Sequence, residues 1–275
     1  MKLFPISDLH IEIHLQLCTY TNMINNFGFL NTLATNEKLV ICACGDIGTG
    51  TLGVNYFQRL LEYLNNPNIE VVYILGNHEY YNSSLDIIYT DMASLQDLVS
   101  PKIHVLDGRY NKYCIIDDKV FIGATLWTDF NNSDDIANYV AKHMNDYKRI
   151  RSGYNFNMLT TNRVLEEHRT QRKQIFRLLE KYEGQKKVVL THHQPYLDYN
   201  VSDILTYGFC VDLLSAINRC DEGMLPDYWF SGHTHTSTYR PMTINNKEVI
   251  FASNQFGYYF ETGKTGYSKN CIFEI

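Results

Sequence analysis

The sequence predicts an α/β fold with more than one β-sheet, and three observations carry that expectation. In the first third of the chain, short apolar runs alternate with segments of helical periodicity, the order of strands joined by helices. Farther on, pairs of strand-like runs are separated by two polar residues, the form of antiparallel hairpins. Five of the apolar runs empty into clusters of Gly, Asp, Asn and His, as buried strands do where they end in functional loops.

The elements follow in chain order. Residues 3–6 and 39–44 are apolar runs that end before Asp8 and Gly45-Asp46. A helix is expected over 53–65, with Leu60, Leu61 and Leu64 on one face, and a strand over 71–75 before Gly76. Ser83-Ser84 opens a helix over 83–99. Residues 113–116 and 119–124 flank Asp117-Asp118 as a hairpin. Residues 128–162, rich in Asn, Asp, Tyr and Arg, show no period and are too long for a plain connection, so they read as a lid or substrate loop. A helix over 163–182 carries Leu165, Ile175, Leu178 and Leu179. Strands at 188–190 and 228–230 precede His192-His193 and Gly232-His233, and a hairpin turns at Asn245-Asn246.

The 275 residues are 45% hydrophobic and 20% charged, with no linker, repeat or low-complexity tract, so a single domain over 1–275 is expected, with the insertion at 128–162. A net charge of −6 argues against a protein that grips long nucleic acid through its phosphates, while leaving room for a local basic loop. Seven cysteines without a C-x-x-C pair indicate neither a zinc ribbon nor a disulfide framework, and read as reduced thiols. No signal-peptide pattern follows Met1, and no apolar run approaches the roughly 20 residues of a membrane helix. A soluble cytoplasmic protein, without a membrane partner, is the expectation.

The chemistry lies in five motifs: Asp8-Leu9-His10, Gly45-Asp46, Gly76-Asn77-His78-Glu79, Thr191-His192-His193 and Gly232-His233-Thr234-His235. Each alone has an ordinary structural reading, as a turn or a satisfied polar pair. Together they hold six of the ten histidines and offer oxygen and nitrogen ligands suited to Mn, Fe, Zn, Co or Ni. Loops leaving one edge of an α/β sheet can bring such residues to one spot.

This order of motifs, D-x-H, G-D, G-N-H-E, H-H and G-H-x-H, resembles the calcineurin-like metallophosphoesterase superfamily, over residues 8 to 235. The resemblance implies a four-layer α-β-β-α sandwich: two mixed β-sheets flanked by helices, with a pair of divalent metals at one edge. It implies that Asp8, His10 and His235 hold one ion and Asn77, His192 and His233 the other, with Asp46 bridging both. His78 is then an acid outside the ligand set. Two divalent ions bring about +4, and Asp8, Asp46 and a bridging hydroxide about −3, so roughly one positive charge is left to attract a phosphoryl group. The hydroxide is the expected nucleophile, without a covalent enzyme intermediate, and Mn is the favoured ion in vitro.

The remaining assignments are open at this level. His78 can protonate a leaving alkoxide, and Glu79 either orients it or is a solvated loop carboxylate. Of His192 and His193 only one can face the metal from an extended strand. The family pattern favours His192, which puts His193 behind it or at the pocket wall. Arg149 and Arg151, with Lys148, can hold a second phosphate or form a solvated charge run, and Tyr147 and Tyr154 beside them can stack on a base. Asp129 either orients a histidine or caps a strand end; residues 254–258 form a pocket rim or a turn. His14, His104, His143 and His168 read as structural. The expected function is hydrolysis of a small nucleotide-like phosphomonoester or phosphodiester. A nuclease for short nucleic acids and a non-catalytic protein-binding scaffold are the alternatives.

Overall fold

The computed structural model describes residues 1–197 and 203–275. One sheet holds strands β1 (Lys2–Ile6), β2 (Leu39–Cys44), β3 (Ile69–Ile74) and β4 (Ile103–Leu106), all parallel, with β13 (Phe273–Glu274) antiparallel beside β1. The second sheet is built from β5 (Tyr113–Ile116), β6 (Lys119–Ala124), β9 (Lys187–Thr191), β10 (Tyr228–Ser231), β11 (Thr238–Ile244) and β12 (Lys247–Ser253). Its order is β11-β12-β10-β9-β6-β5, parallel in the centre and antiparallel at both edges. A ribbon of β7 (Arg151–Ser152) and β8 (Asn157–Met158) stands apart.

Side-chain alternation makes the layers. Val40, Cys42 and Cys44 of β2 meet Val188 and Leu190 of β9 and Phe230 of β10 between the two sheets. The alternate residues Leu39, Ile41 and Ala43 face the other way, into a core shared with Val54, Phe57 and Leu60 of helix Leu52–Leu64 and with Leu85, Ile88 and Met92 of helix Leu85–Gln96. Val120, Ile122, Val189, Trp229 and Phe251 of the second sheet meet Ile175 and Leu179 of helix Thr161–Lys181. Strands covered on both faces are apolar along their whole length, which is why they read as continuous runs. The result is the helix–sheet–sheet–helix sandwich of two mixed sheets.

Local chemistry sets the boundaries. Ser84 and Thr160 cap their helices by accepting from Ile87 N and Arg163 N. Asp117-Asp118 and Asn245-Asn246 have positive φ at both positions, as two-residue hairpin turns that match strand twist require.

Residues 128–162 depart from the non-periodic loop expected. They contain helix Asp134–His143, capped by Ser133, a turn of helix at Asp146–Arg149, and the β7–β8 ribbon. The longer helix fully buries only Ala137 and Val140, too few apolar positions to show a period. Asp86 ties the ribbon to the body: it accepts from Gly153 N at 2.7 Å, Arg109 at 2.7 Å and Arg163 at 3.2 Å. Tyr147 is packed in the core and so is not offered for stacking, whereas Tyr154 is exposed and meets Thr90 Oγ1 at 3.1 Å. All seven cysteines are free thiols. Among the described residues, no helix is long and apolar enough to cross a membrane.

Candidate metal centre

The parallel strands of both sheets end at one edge, where the loops zip together through their backbones. Asp8 N donates to Gly45 O, His10 N to Asp46 O, and Gly232 N to His192 O, each at 3.0 Å. The ring of loops closes where Phe256 N donates to Ser7 O. Asp8, His10, Asp46, His233 and His235 all have positive φ, an uncommon conformation for non-glycine residues that the surrounding contacts must hold. Gly45, at φ +84°, admits no side chain, because a Cβ there would lie 2.5 Å from Gly76 N.

These loops bring the predicted residues together. His10 Nε2 and His235 Nε2 are 3.0 Å apart, and His235 Nε2 is 3.5 Å from Asp8 Oδ1. Asp46 stands between this group and a second one. Its Oδ1 is 3.4 Å from His192 Nε2, and its Oδ2 is 3.9 Å from both His10 Nε2 and His78 Nε2. Asn77 Oδ1 lies 2.9 Å from the same His192 nitrogen, and the His233 ring is 4.7 Å from that of His192. Three sets of donor atoms are close enough to share an ion: Asp8–His10–His235, His10–Asp46–His78 and Asp46–His192–His233.

Behind these atoms, other groups fix their orientation. His192 Nδ1 lies 2.8 Å from Cys44 O and His235 Nδ1 2.6 Å from Glu261 Oε2, which leaves each Nε2 facing inward. Asn77 Nδ2 donates to Asp146 Oδ1 at 2.8 Å, as does Tyr81 OH, so the Asn77 oxygen is the atom presented to the site. Gln255 Oε1 accepts from His235 N at 2.6 Å. Glu79 is fully buried and accepts from Asp46 N, Ile47 N, Gly48 N, Gly76 N and Tyr73 OH. It is therefore neither a solvated carboxylate nor the partner of His78, but the anchor of the loop that carries Asp46. That partner is Glu12, whose Oε1 lies 3.0 Å from His78 Nδ1.

Charge explains the titration of the site. Burial alone would raise the pKa of Asp46, but His192, His78 and His10 hold it well below the usual carboxylate range. Burial opposes protonation of His192, yet Asp46 and Asp8 push it up to about 10; Asp8 and Glu261 likewise overcome burial to push His235 up to about 9. His233 is depressed by burial and by the neighbouring histidines, and its buried Nε2 has no hydrogen-bond partner among the described residues. An unpartnered nitrogen, two imidazole nitrogens turned toward one another and two buried carboxylates are what cations would satisfy. Two divalent ions fit the residues present.

The other expected residues lie elsewhere. His193 is buried behind the centre, its ring 4.5 Å from that of His233 and its Nδ1 3.3 Å from Thr125 O, so it does not line the cavity. Arg149 is exposed, with its guanidinium over the Tyr81 ring at 5.4 Å, and Arg151 donates to Lys148 O and Ile150 O. Neither is part of the cavity lining: Arg149 covers the Tyr81 ring of the cavity wall from the exposed side, and Arg151 is spent on the insertion's own backbone. Asp129 accepts from Asn131 N as a cap. His14, His104 and His168 face Gly257 O, Glu70 and Leu126 O.

A cavity of about 350 Å³ opens over the centre, lined by Asp46, His78 and His233 and walled by Tyr81, Phe209 and Tyr258. The insertion supplies His143, Met144, Asn145 and Asp146 to it. Residues that the sequence did not reveal are thus Glu12, Asp146 and Glu261, of which Glu12 carried a signal, its place two residues after His10. Gln255 and Tyr258 belong to the segment 254–258 read as a pocket rim or a turn, and Tyr258 lines the cavity; His143, read as structural, lines it too, because helix Asp134–His143 ends at the cavity.

A model of the calcineurin-like phosphoesterase family matches residues 1–237. A curated relative from Acanthamoeba polyphaga mimivirus, named Uncharacterized protein L509, is 28% identical over 278 residues, which cover 93% of this chain and 91% of that one. The crystal structure of a phosphopantetheinyl hydrolase (PptH) from Mycobacterium tuberculosis has the same fold at 15% identity, with a TM-score of 0.65 over 94% of this chain and 90% of that one.

Proposed function

Because the chain belongs to the calcineurin-like phosphoesterase family, we propose that it hydrolyses a small, nucleotide-like phosphomonoester or phosphodiester with the help of two divalent metal ions. One observation carries this reading: Asp46 directs one carboxylate oxygen toward His192 and the other toward His10 and His78, so a single side chain joins two groups of ligands. Asp8, His10 and His235 would hold one ion, Asn77, His192 and His233 the other, and Asp46 both. Such ions supply positive charge for the phosphoryl oxygens and lower the pKa of water.

The chain's own residues do the rest. Glu12 faces His78 Nδ1, so the ring carries its transferable proton on Nε2, on the side of Asp46 and of the Tyr258 hydroxyl 3.5 Å away. Burial opposes that proton, but Asp46, Glu12 and Asp146 raise the His78 pKa and keep it in place. His78 is then the general acid for the leaving oxygen. Asp146 and Glu261 hold Asn77 and His235 in orientation, and Glu79 holds the Asp46 loop. The buried Tyr81 ring and the half-buried Phe209 and Tyr258 rings of the cavity wall limit the water around the reacting group.

The test is hydrolysis of p-nitrophenyl phosphate, bis-p-nitrophenyl phosphate and an alkyl ester with a poor leaving group, such as glycerol phosphate, by metal-stripped protein reconstituted with Mn. Turnover should require metal, vanish in Asp46→Asn and fall by about 10²–10⁴ in His78→Ala with an ester whose leaving group is poor. Two bound ions without turnover of any ester would favour a binding scaffold. Failure to bind metal would overturn the reading.

A further inference from the structure

We propose that the substrate joins a single phosphoryl group to a planar, uncharged, base-like group, which the stacked rings of Tyr258 and Phe260 receive at the mouth of the cavity. This inference rests on the phosphoesterase reading above and narrows its substrate class.

The first ground is the arrangement of rings. Tyr258 lines the cavity and stacks on His10 at 4.4 Å; Phe260 stacks on Tyr258 at 5.3 Å and is 59% exposed. In the insertion, His143 lines the same cavity and stacks at 4.1 Å on Tyr139, which is 40% exposed. A single exposed ring needs no explanation. Here two stacked pairs stand at one cavity, each with its inner ring in the wall and its outer ring in solvent. Aromatic faces kept in water beside a phosphoryl site are platforms on which a base can stack.

The second ground is charge. Among the described residues that line the cavity there is no lysine or arginine, and the segment 198–202 contains neither. The lining does include the carboxylates of Asp146 and Glu261. One phosphoryl group has the metal centre as its counter-charge. A second phosphate would stand beside these carboxylates with no basic side chain in the lining, since Arg149, over the Tyr81 ring of the wall at 5.4 Å, is engaged by that ring.

Calorimetry with the Mn-loaded protein tests this, using non-hydrolysable phosphonate analogues of adenosine monophosphate, adenosine diphosphate and glycerol phosphate. The monophosphate analogue should bind more tightly than the diphosphate analogue. Phe260→Ala should weaken the monophosphate analogue about tenfold and change the glycerol analogue by less than about twofold. Equal or tighter binding of the diphosphate analogue, or a Phe260→Ala effect that is absent or the same for both monophosphates, would overturn the inference. Hydrolysis of p-nitrophenyl phosphate, followed alongside, separates the two failures. Turnover with the wrong selectivity removes only the substrate class, whereas correct selectivity without turnover keeps the binding site and removes the hydrolase.

Discussion

Glu12 Oε1 lies 3.0 Å from His78 Nδ1, and this contact decides which nitrogen of His78 faces the cavity. Burial alone would raise the pKa of Glu12, but His10 and His78 hold it down at about 2, so the carboxylate is charged at any pH near neutrality. Its charge in turn favours the protonated ring of His78.

Glu12→Gln removes that charge and keeps the shape. The His78 pKa should fall, so the alkaline limb of the kcat profile should move to lower pH, with a loss of about tenfold for an ester with a poor leaving group. A smaller loss is expected for p-nitrophenyl esters, whose leaving group needs little help. A pH profile that does not move would assign Glu12 a packing role only.

Asp146→Ala should release the Asn77 amide, since Asp146 Oδ1 is the acceptor for its Nδ2. Metal affinity should fall by about 10–100-fold, as it does when a ligand loses the group that orients it. A chelator competition titration measures this. Unchanged affinity would show that Asn77 is held without help from the insertion.

Metal entry should release protons. Without cations, His192 is raised to about 10 and His235 to about 9, so both are protonated at pH 7 and compete with metal for the same atoms. Apparent affinity should therefore tighten as the pH rises from 7 to 9. Titrations in two buffers of different ionisation heat would count the protons. In the same protein, free metal at a hundred times its Kd should stabilise the fold by about 2.7 kcal/mol, and chelation should remove that gain from the Tm.

Asp86 predicts an acid-sensitive tether. Burial alone would raise its pKa, but Arg109, Gly153 N–H and Arg163 lower it from 3.8 to about 2. A lowered carboxylate pKa means stability that is fully present above 3.8 and is lost as the pH falls toward 2. Asp86→Asn should cost about 1–2 kcal/mol at pH 7, less than the whole shift because the pair with Arg109 is partly solvated. Urea unfolding should show the gap between variant and wild type closing near pH 3; a gap that persists would mean that packing, rather than charge, is lost.

What the sequence determined by itself is what repeats locally or sits at a strand end. The two-sided apolar runs of β2, β3, β9 and β10, the Asp117-Asp118 and Asn245-Asn246 turns, and the cap at Ser84 are each written within a few residues. The motif residues Asp8, His10, Asp46, Asn77, His78, His192, His233 and His235 were legible because each follows such a strand, and parallel strands deliver their ends to one edge. Tertiary structure alone decided what stands behind them. Glu79 turned out to anchor a loop, Glu12 and Glu261 to orient histidines, and Asp146 to reach Asn77 across 69 positions of sequence. A carboxylate looks the same in sequence whether solvent or five donors surround it. Only the packing of the sheets and the insertion determines which of these holds, because burial makes an unpaired charge too costly and forces each carboxylate to a partner.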